Sequence, residues 1–237
     1  MNRLLIIQLG FLALTIIFLV LLLKTLKNGI DKTSWENSRK QKIYSRLIWI
    51  SAAWIALVSV WSFSGLMINF EIFPLNFLPI LAIPLITITW LSFFSVSTKT
   101  IVDQLGHHEI IRLQVFRVFV EILLWMLLLE NLLPIQMSFE GRNFDILAGL
   151  TAPIVAYLAY HKKISIAVIR IWNFICLGLL INIVTIAILS MPSPFRVFMN
   201  EPSNTIVAVF PIALLPGFLV PLAYGLHFLS LRQISRQ

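Results

Sequence analysis

The side chains best suited to chemistry in this sequence are three polar groups inside a long apolar run. Gln114, Arg117 and Glu121 are spaced i, i+3 and i+7, so they share one face of a helix. An ionised side chain at mid-bilayer costs roughly 2.5–3.5 kcal/mol on insertion scales, so such groups face the interior of a helix bundle. Because Arg117 and Glu121 are four residues apart, they can pair within their own helix. The pattern is typical of a substrate or proton site in which Glu121 titrates, or of a clamp between helices.

A polar corner, Glu140 to Asp145, follows this run at the predicted start of the next helix. Asn143 or Asp145 suits a helix N-terminus, where free N–H groups favour an oxygen acceptor. Arg142 and Asp145 form either a local contact there or, with Glu140, an outward-facing polar pocket. In the second case the loop from residue 196 to residue 204 helps to close the pocket.

Two asparagines lie in a later apolar run. Asn173 and Asn182 are nine residues apart, which places them about 180° apart on a helix, so they cannot both face one pocket. Interhelical hydrogen bonding is the better account of at least one of them. Asn173 is the last of the candidate ligand-binding residues.

The sequence predicts no metal site, no haem and no other cofactor. The histidines show neither the His-x-x-x-His nor the Glu-x-x-His spacing of metal-binding helices. Nucleotide-binding loops, Ser/His/Asp sets and zincin motifs are also missing from the sequence. We therefore lean against an enzyme, and a lipid-acting enzyme with Glu121 or Asp145 as base is the weakest of the functional hypotheses.

Membrane helices must position these residues. Of the 237 residues, 59% are hydrophobic and only 12% are charged, whereas a soluble domain has about 25% charged residues. A spanning helix needs about 20 apolar residues. The sequence predicts one all-α domain over residues 1–237, a polytopic bundle of seven transmembrane helices at about 4–23, 47–69, 77–97, 111–133, 144–160, 165–190 and 205–230.

The distribution of basic residues predicts the orientation. The net charge is +8, but the basic residues lie in loops between apolar runs, so we expect the lipid bilayer as a partner and no nucleic acid. Fourteen of the 18 Lys and Arg residues, Arg232 and Arg236 among them, fall on one side. The positive-inside rule then places the N-terminus outside and the C-terminus in the cytoplasm, in a multi-pass protein of a bacterial inner membrane. No oligomeric state is predicted.

Prolines interrupt the third and seventh apolar runs. Each proline frees the carbonyl four residues earlier, which must then bind a neighbour or line a polar cavity. The sequence favours kinks that serve packing, with a polar binding cavity as the alternative. The prolines concerned are Pro79, Pro84, Pro211, Pro216 and Pro221.

A resemblance covers about residues 101–231. It is carried by Gln114-Val115-Phe116-Arg117, the segment from Gly141 to Pro153, Trp172-Asn173 with Gly178-Leu179, and the proline-rich run from Pro211 to Pro221 with His227. These features resemble a group of small bacterial seven-helix integral membrane proteins with no assigned activity. Asn182 stands where the resemblance leads us to expect an aspartate. The resemblance implies a shared fold and a shared polar patch, and it implies no substrate.

Three functions are compatible with these patterns. The first is binding or transport of a small polar or amphiphilic ligand, or of a proton, by an intramembrane polar patch. The second is a structural or accessory membrane subunit in which the same groups only hold helices together, and the third is the lipid-acting enzyme. The candidate ligand-binding residues are Gln114, Arg117, Glu121, Arg142, Asp145 and Asn173.

Overall fold

The structure, a computed structural model, describes residues 3–235. Over this range the chain forms helices and connecting turns, with no β-strand among the described residues, so the predicted all-α class is confirmed. Arg236, which contributes to the predicted charge bias, lies outside the described residues.

The first two helices are longer than their apolar runs. Helix α1 spans Arg3–Asp31 and helix α2 spans Asn37–Phe63. The charged stretch between the predicted spans is therefore mostly helical rather than a loop, and only a short turn separates the two helices. Lysine and arginine have good helix propensity, so a run rich in them can extend a helix beyond the lipid-compatible segment.

The third predicted span is a bent pair of helices. Helix α3 spans Leu78–Phe94 and helix α4 spans Val96–Val102, and the two axes differ by 74°. Ser95 lies at the bend, and its side chain accepts a hydrogen bond from the Thr98 backbone N–H over 3.2 Å. This N-cap starts α4 in a new direction.

Five more α-helices follow in the described residues after residue 106. Helix α5, His107–Ile111, runs through a 3-10 turn into helix α6, Phe116–Leu129. Helix α7 spans Ile146–Tyr160 and helix α8 spans Ile166–Leu189. A π-helical turn, Leu215–Leu219, leads into helix α9, Val220–Ile234. The last predicted span, which we expected from residue 205, therefore becomes regular helix only after Pro211.

Three helices within residues 3–235 are long and apolar enough to cross a membrane: α1, α2 and α8. The bent α3–α4 pair makes a fourth if it counts as one span. Helices α6, α7 and α9 have 14, 15 and 15 residues, fewer than the roughly 17–25 that a span takes. The seven crossings and their direction stay predictions.

Helix α9 occupies the centre of the bundle, whereas α2 lies at its edge. Helix α9 packs against α3, α5 and α8, and most of its residues are buried. Helix α2 buries only Val58 and Ser62. The positioning of polar groups therefore depends on the α5–α9 part of the chain.

The two carbonyls freed by Pro216 and Pro221 have partners within the chain. The Gly217 carbonyl, four residues before Pro221, accepts a hydrogen bond from Trp54 Nε1 over 2.7 Å. The Ile212 carbonyl, four residues before Pro216, accepts one from the Leu215 N–H over 2.8 Å. At these two prolines the freed carbonyl is bonded by a side chain of α2 or by a local backbone turn, so neither carbonyl requires a polar cavity.

Candidate functional site

The predicted polar face of the fourth apolar run is fully inside the bundle. Gln114 lies in the 3-10 turn before α6, and Arg117 and Glu121 lie in the first two turns of α6. Each of the three side chains belongs to a residue that is 1% exposed. Helical periodicity accounts for this shared burial, because their spacing keeps them on one side of the helix.

Arg117 pairs with Asp145 rather than with Glu121. Its Nε donates to Asp145 Oδ2 over 2.6 Å, and its Nη2 donates to Asp145 Oδ1, so the guanidinium and the carboxylate form a two-bond fork. Nη2 also donates to the Cys176 carbonyl over 3.3 Å. The expected ion pair within one helix is therefore replaced by a bridge from α6 to the start of α7 and to α8. The planar guanidinium fits this two-bond geometry.

The close approach of α7 to α6 depends on Gly149. A Cβ atom at Gly149 would lie 2.6 Å from the Val118 backbone nitrogen and 3.2 Å from the Arg117 carbonyl carbon. Gly149 lies four residues after Asp145, so it is one turn further along the same face of α7. The missing side chain allows the helix backbones to meet where Arg117 reaches Asp145.

A hydrogen-bonded chain continues from Arg117 through His227. Arg117 Nη1 donates to His227 Nε2 over 2.9 Å, and since arginine only donates, Nε2 is the acceptor nitrogen of the imidazole. His227 Nδ1 then carries the proton and donates to Asn173 Oδ1 over 2.8 Å. Asn173 Nδ2 donates to Ser230 Oγ over 3.0 Å and to the Ile169 carbonyl over 2.9 Å. This chain links α6, α8 and α9, and the Arg117–Asp145 pair adds the start of α7.

Glu121 has a much poorer set of partners. Asn143 Nδ2 lies 2.7 Å and 2.6 Å from the two carboxylate oxygens of Glu121, and it also lies 3.0 Å from the Met137 carbonyl. One amide nitrogen with two hydrogens serves these three acceptors. Two carboxylate oxygens offer about four lone-pair sites, so Glu121 keeps unused acceptor capacity.

Asn143 and Asp145 do not cap α7 with their side chains as the sequence predicts. Asn143 Oδ1 accepts from the Asp145 backbone N–H over 3.0 Å, which forms a local turn before the helix. Asp145 occupies the N-cap position of α7, but its carboxylate bonds to Arg117 instead of capping. The stronger charge-assisted pair has taken the side chain that an exposed helix end would use.

Arg142 and Glu140 stand apart from the buried cluster. Arg142 is exposed, its guanidinium lies 5.4 Å from the Phe198 ring centre, and it forms no contact with Asp145. Glu140 accepts a hydrogen bond from Trp125 Nε1 over 2.6 Å. The structure therefore does not bring Glu140 and Arg142 together with Asp145, as either the local Arg142–Asp145 contact or the outward-facing pocket requires, because each of the three side chains has a different partner.

Gln114 and Asn182 each donate to a backbone carbonyl, one in the interior and one at the surface. Gln114 Nε2 donates to the Ala223 carbonyl over 3.2 Å, while its buried Oε1 has no partner among the described residues. Asn182 is exposed and donates to the Arg142 carbonyl over 2.9 Å. Asn173 is buried and Asn182 exposed, so the prediction that they do not share a pocket is confirmed.

A cavity of about 280 Å³ lies beside Glu121, between α3, α6, α8 and the π-helical turn. Within the described part of the chain, Glu121 and Asp145 are the only polar residues that line it. The walls come from aromatic and aliphatic side chains such as Phe77, Val120 and Ile183. An apolar chamber with carboxylates at one point of its wall is complementary to an amphiphile.

Sequence reasoning missed three members of this site. His227 and Ser230 come from α9, and Asn143 acts as a partner of Glu121 rather than as a helix cap. The available signal was His227 inside an apolar helix, since a buried imidazole requires hydrogen-bond partners. Among residues 3–235, no group of three or more His, Cys, Asp or Glu side chains is placed to hold a metal ion.

The part of the chain that carries the buried polar cluster matches a protein family. The model of a family described as "Domain of unknown function (DUF8737)" matches residues 72–235, which is more than half of the chain. The chain belongs to this family. The match includes α6 to α9 and therefore every residue of the buried polar cluster. No curated protein and no solved structure matches the chain.

Proposed function

We propose that this protein is a multi-pass protein of a bacterial inner membrane that binds a small amphiphilic ligand in the cavity beside Glu121. In this proposal the apolar part of the ligand lies against α3 and α8, and its polar head donates hydrogen bonds to Glu121. A head group that carries an amine or a hydroxyl fits, because a carboxylate only accepts. Transport of the ligand or of a proton would use the same buried groups.

The observation that carries the proposal is the contrast between the carboxylate of Glu121 and the walls around it. Glu121 is buried and has one donor side chain for two oxygens, and it lines a cavity whose only other polar residue among the described ones, Asp145, is already paired with Arg117. A buried charge without full compensation is costly, so a group left in this state marks a site for a partner. The volume of about 280 Å³ is close to the lower limit of small-molecule pockets.

The proposed topology has seven crossings with the N-terminus outside. Contacts between distant segments support the arrangement, since Arg3 at the start of α1 pairs with Glu130 after α6 over 3.1 Å. At the other end of the bundle, Arg170 near the start of α8 donates to the Ile234 carbonyl. Both pairings join segments that the predicted topology assigns to the same side of the membrane.

Binding of simple amphiphiles tests the proposed site. The probes are dodecylamine, dodecanol and dodecyl methyl ether, added to the protein in amphipol while its thermal unfolding is followed. We expect the amine and the alcohol, which have donor heads, to stabilise the wild type more than the ether does. Glu121→Gln should weaken amine binding by about tenfold or more, because a hydrogen bond to a charged group contributes about 1.5–3 kcal/mol.

Matched variants control this experiment. Glu130→Gln is the control for Glu121→Gln. Glu130 follows the same helix, but its carboxylate pairs with Arg3 and does not line the cavity. Ile183→Trp fills the cavity, whereas Ile181→Trp adds the same ring to an exposed position of α8. Equal amine binding by the wild type, Glu121→Gln and Ile183→Trp would rule out the cavity as the binding site.

The complete bonding of Arg117 favours a second candidate, a structural or accessory membrane subunit. Arg117 has partners on three other parts of the chain, as a clamp requires. This function predicts that loss of Arg117 unfolds the protein and that none of the three amphiphiles changes the stability of the wild type. The two candidates therefore differ in the response of the intact protein to the probes.

A further inference from the structure

A second and larger cavity lies on another side of the bundle. It measures about 550 Å³ and runs between α2 and the α3–α9 layer, with further walls from α1 and α4. It shares no lining residue with the cavity beside Glu121. We call it the α2 groove, and define it by Leu47, Ala53 and Trp54 on α2, Thr98 on α4 and Leu229 on α9.

The α2 groove opens toward the surroundings of the protein along its length. Ile50 and Ile83, which line it, are 67% and 50% exposed. Helix α2 buries only Val58 and Ser62, and beside the groove the hydrogen bond from Trp54 Nε1 to the Gly217 carbonyl joins it to the π-helical turn. In a membrane, an apolar channel that opens sideways is filled by acyl chains.

The length of the groove matches one leaflet. Its walls on α2 extend from Leu47 to Leu57, ten residues apart, or about 15 Å at the helical rise. The hydrocarbon core of a bilayer is about 30 Å thick, so this length is about half of it. One acyl chain of a single leaflet would therefore occupy the groove from the interface to the bilayer centre.

Basic residues lie near one end of the α2 groove and not near the other. The end formed by Leu26, Leu47 and Thr98 is flanked in sequence by Lys24, Lys27, Arg46 and Lys99, with Asp103 also nearby. Lys27 Nζ lies 5.5 Å from the Tyr44 ring centre, which brings the α1 and α2 parts of this basic end together. The other end has no basic residue near it in sequence, because the stretches 4–23, 47–98 and 197–231, which supply the walls there, contain no Lys or Arg.

We propose that the α2 groove binds one anionic phospholipid, with an acyl chain against Trp54 and the phosphate near Arg46 and Lys99. The basic end attracts the head group, and the apolar walls take the chain. The proposal requires that the protein is inserted in a membrane, but it does not depend on the amphiphile site beside Glu121.

Native mass spectrometry of the delipidated full-length protein tests the proposal. The probes are phosphatidylglycerol and phosphatidylcholine with identical acyl chains, titrated into the protein in detergent. We expect one tightly bound phosphatidylglycerol per protein, and weaker binding of phosphatidylcholine. Absence of a bound phosphatidylglycerol, or equal affinity for both lipids, would overturn the proposal.

Two pairs of variants separate the chain site from the head-group site. Ala53→Phe fills the groove, and Ala56→Phe adds the same ring to an exposed position of α2 outside it. We expect about tenfold weaker phosphatidylglycerol binding for the first variant only, a difference of about 1.4 kcal/mol. Replacing Arg46 and Lys99 with Gln should cost about fivefold per removed charge, whereas Lys163→Gln, elsewhere on the predicted cytoplasmic side, should cost nothing measurable.

Fluorescence provides a readout in case Ala53→Phe does not fold. Phosphatidylglycerol with brominated chains should quench the tryptophan emission of the wild type, and Trp54→Phe should remove most of this effect. Trp49→Phe is the matched control, since Trp49 is on α2 but does not line the groove. Equal quenching in both variants would place the lipid elsewhere. Glu121→Gln should leave all of these results unchanged, so failure here is distinguishable from failure of the amphiphile proposal.

Discussion

Arg117 and Glu121 are one helical turn apart and equally buried, yet their surroundings differ in kind. Arg117 is bonded to Asp145, His227 and the Cys176 carbonyl, which belong to three different segments. Glu121 has one amide donor and faces a cavity whose walls are apolar apart from Glu121 itself and Asp145. Burial alone therefore does not distinguish a clamp from a binding site. The number of partners does, because a fully bonded ion is part of the fold and an under-bonded one can accept a ligand.

The largest effect should come from breaking the Arg117 clamp. Arg117→Leu leaves the Asp145 carboxylate buried without its cation, and loss of one partner of a buried ion pair costs about 3–5 kcal/mol. Thermal unfolding in detergent measures the change. Arg142→Leu is the control, since Arg142 is exposed and outside the cluster. The double variant Arg117→Met with Asp145→Leu should recover part of the stability, because no charge is then left uncompensated.

An unfolding transition of Arg117→Leu that matches the wild type would mean that Asp145 finds another partner or is neutral. Arg117 would then not act as a clamp despite its three partners. Unfolding of Arg142→Leu at the same temperature as Arg117→Leu would point to general sensitivity of this region.

An intermediate effect should follow from Gly149→Ala. The added Cβ would meet the Val118 backbone nitrogen at 2.6 Å, and backbone cannot rotate away as a side chain can. Overpacking of this kind costs about 1–3 kcal/mol. Gly178→Ala on α8 is the control, because a Cβ there meets nothing within 4 Å. That variant should be neutral or stabilising by up to about 1 kcal/mol in the same unfolding measurement.

The relative stability of these two glycine variants tests whether close contact of α6 and α7 maintains the pairing of Arg117 with Asp145. If Gly149→Ala is no less stable than Gly178→Ala, the helices can separate without loss, and the contact does not position Arg117 against Asp145.

The smallest effect on stability should come from Glu121→Gln. The amide keeps the shape of the side chain and an oxygen that can accept from Asn143 Nδ2, so we expect a change below about 1 kcal/mol. The matched comparison is Arg117→Gln, which removes the guanidinium fork. A destabilisation by Glu121→Gln as large as that by Arg117→Gln would assign Glu121 to the clamp and would favour the accessory-subunit function.

Around Glu121, the sequence predicts which side chains are buried better than it predicts which side chains they bond to. The spacing of Gln114, Arg117 and Glu121 is enough to place them on one buried face, because helical periodicity is a local property. The pairing of Arg117 with Asp145 crosses 28 residues, and its contact with His227 crosses 110. Local spacing favours the nearer carboxylate at position 121, and the fold selects the other one.

The errors at helix ends have a related cause. Pro211 and Pro216 delay the last helix to Leu215, and α2 begins within a charged segment that we assigned to a loop. Hydropathy reports where lipid can surround a helix, but helix propensity and proline position decide where the backbone is helical. The two signals agree within apolar runs and separate at their borders.

The sequence by itself determined that the chain is all-helical, that its apolar runs suit a membrane, and that a few polar groups must be buried together. These properties follow from composition and periodicity, which act over one or two turns of helix. The tertiary structure alone decided which buried groups meet. Asp145 and His227 meet at Arg117, and Asn173 meets His227, only because helices distant in sequence pack together. The cavity beside Glu121 depends on the same packing, and no local spacing encodes those distances.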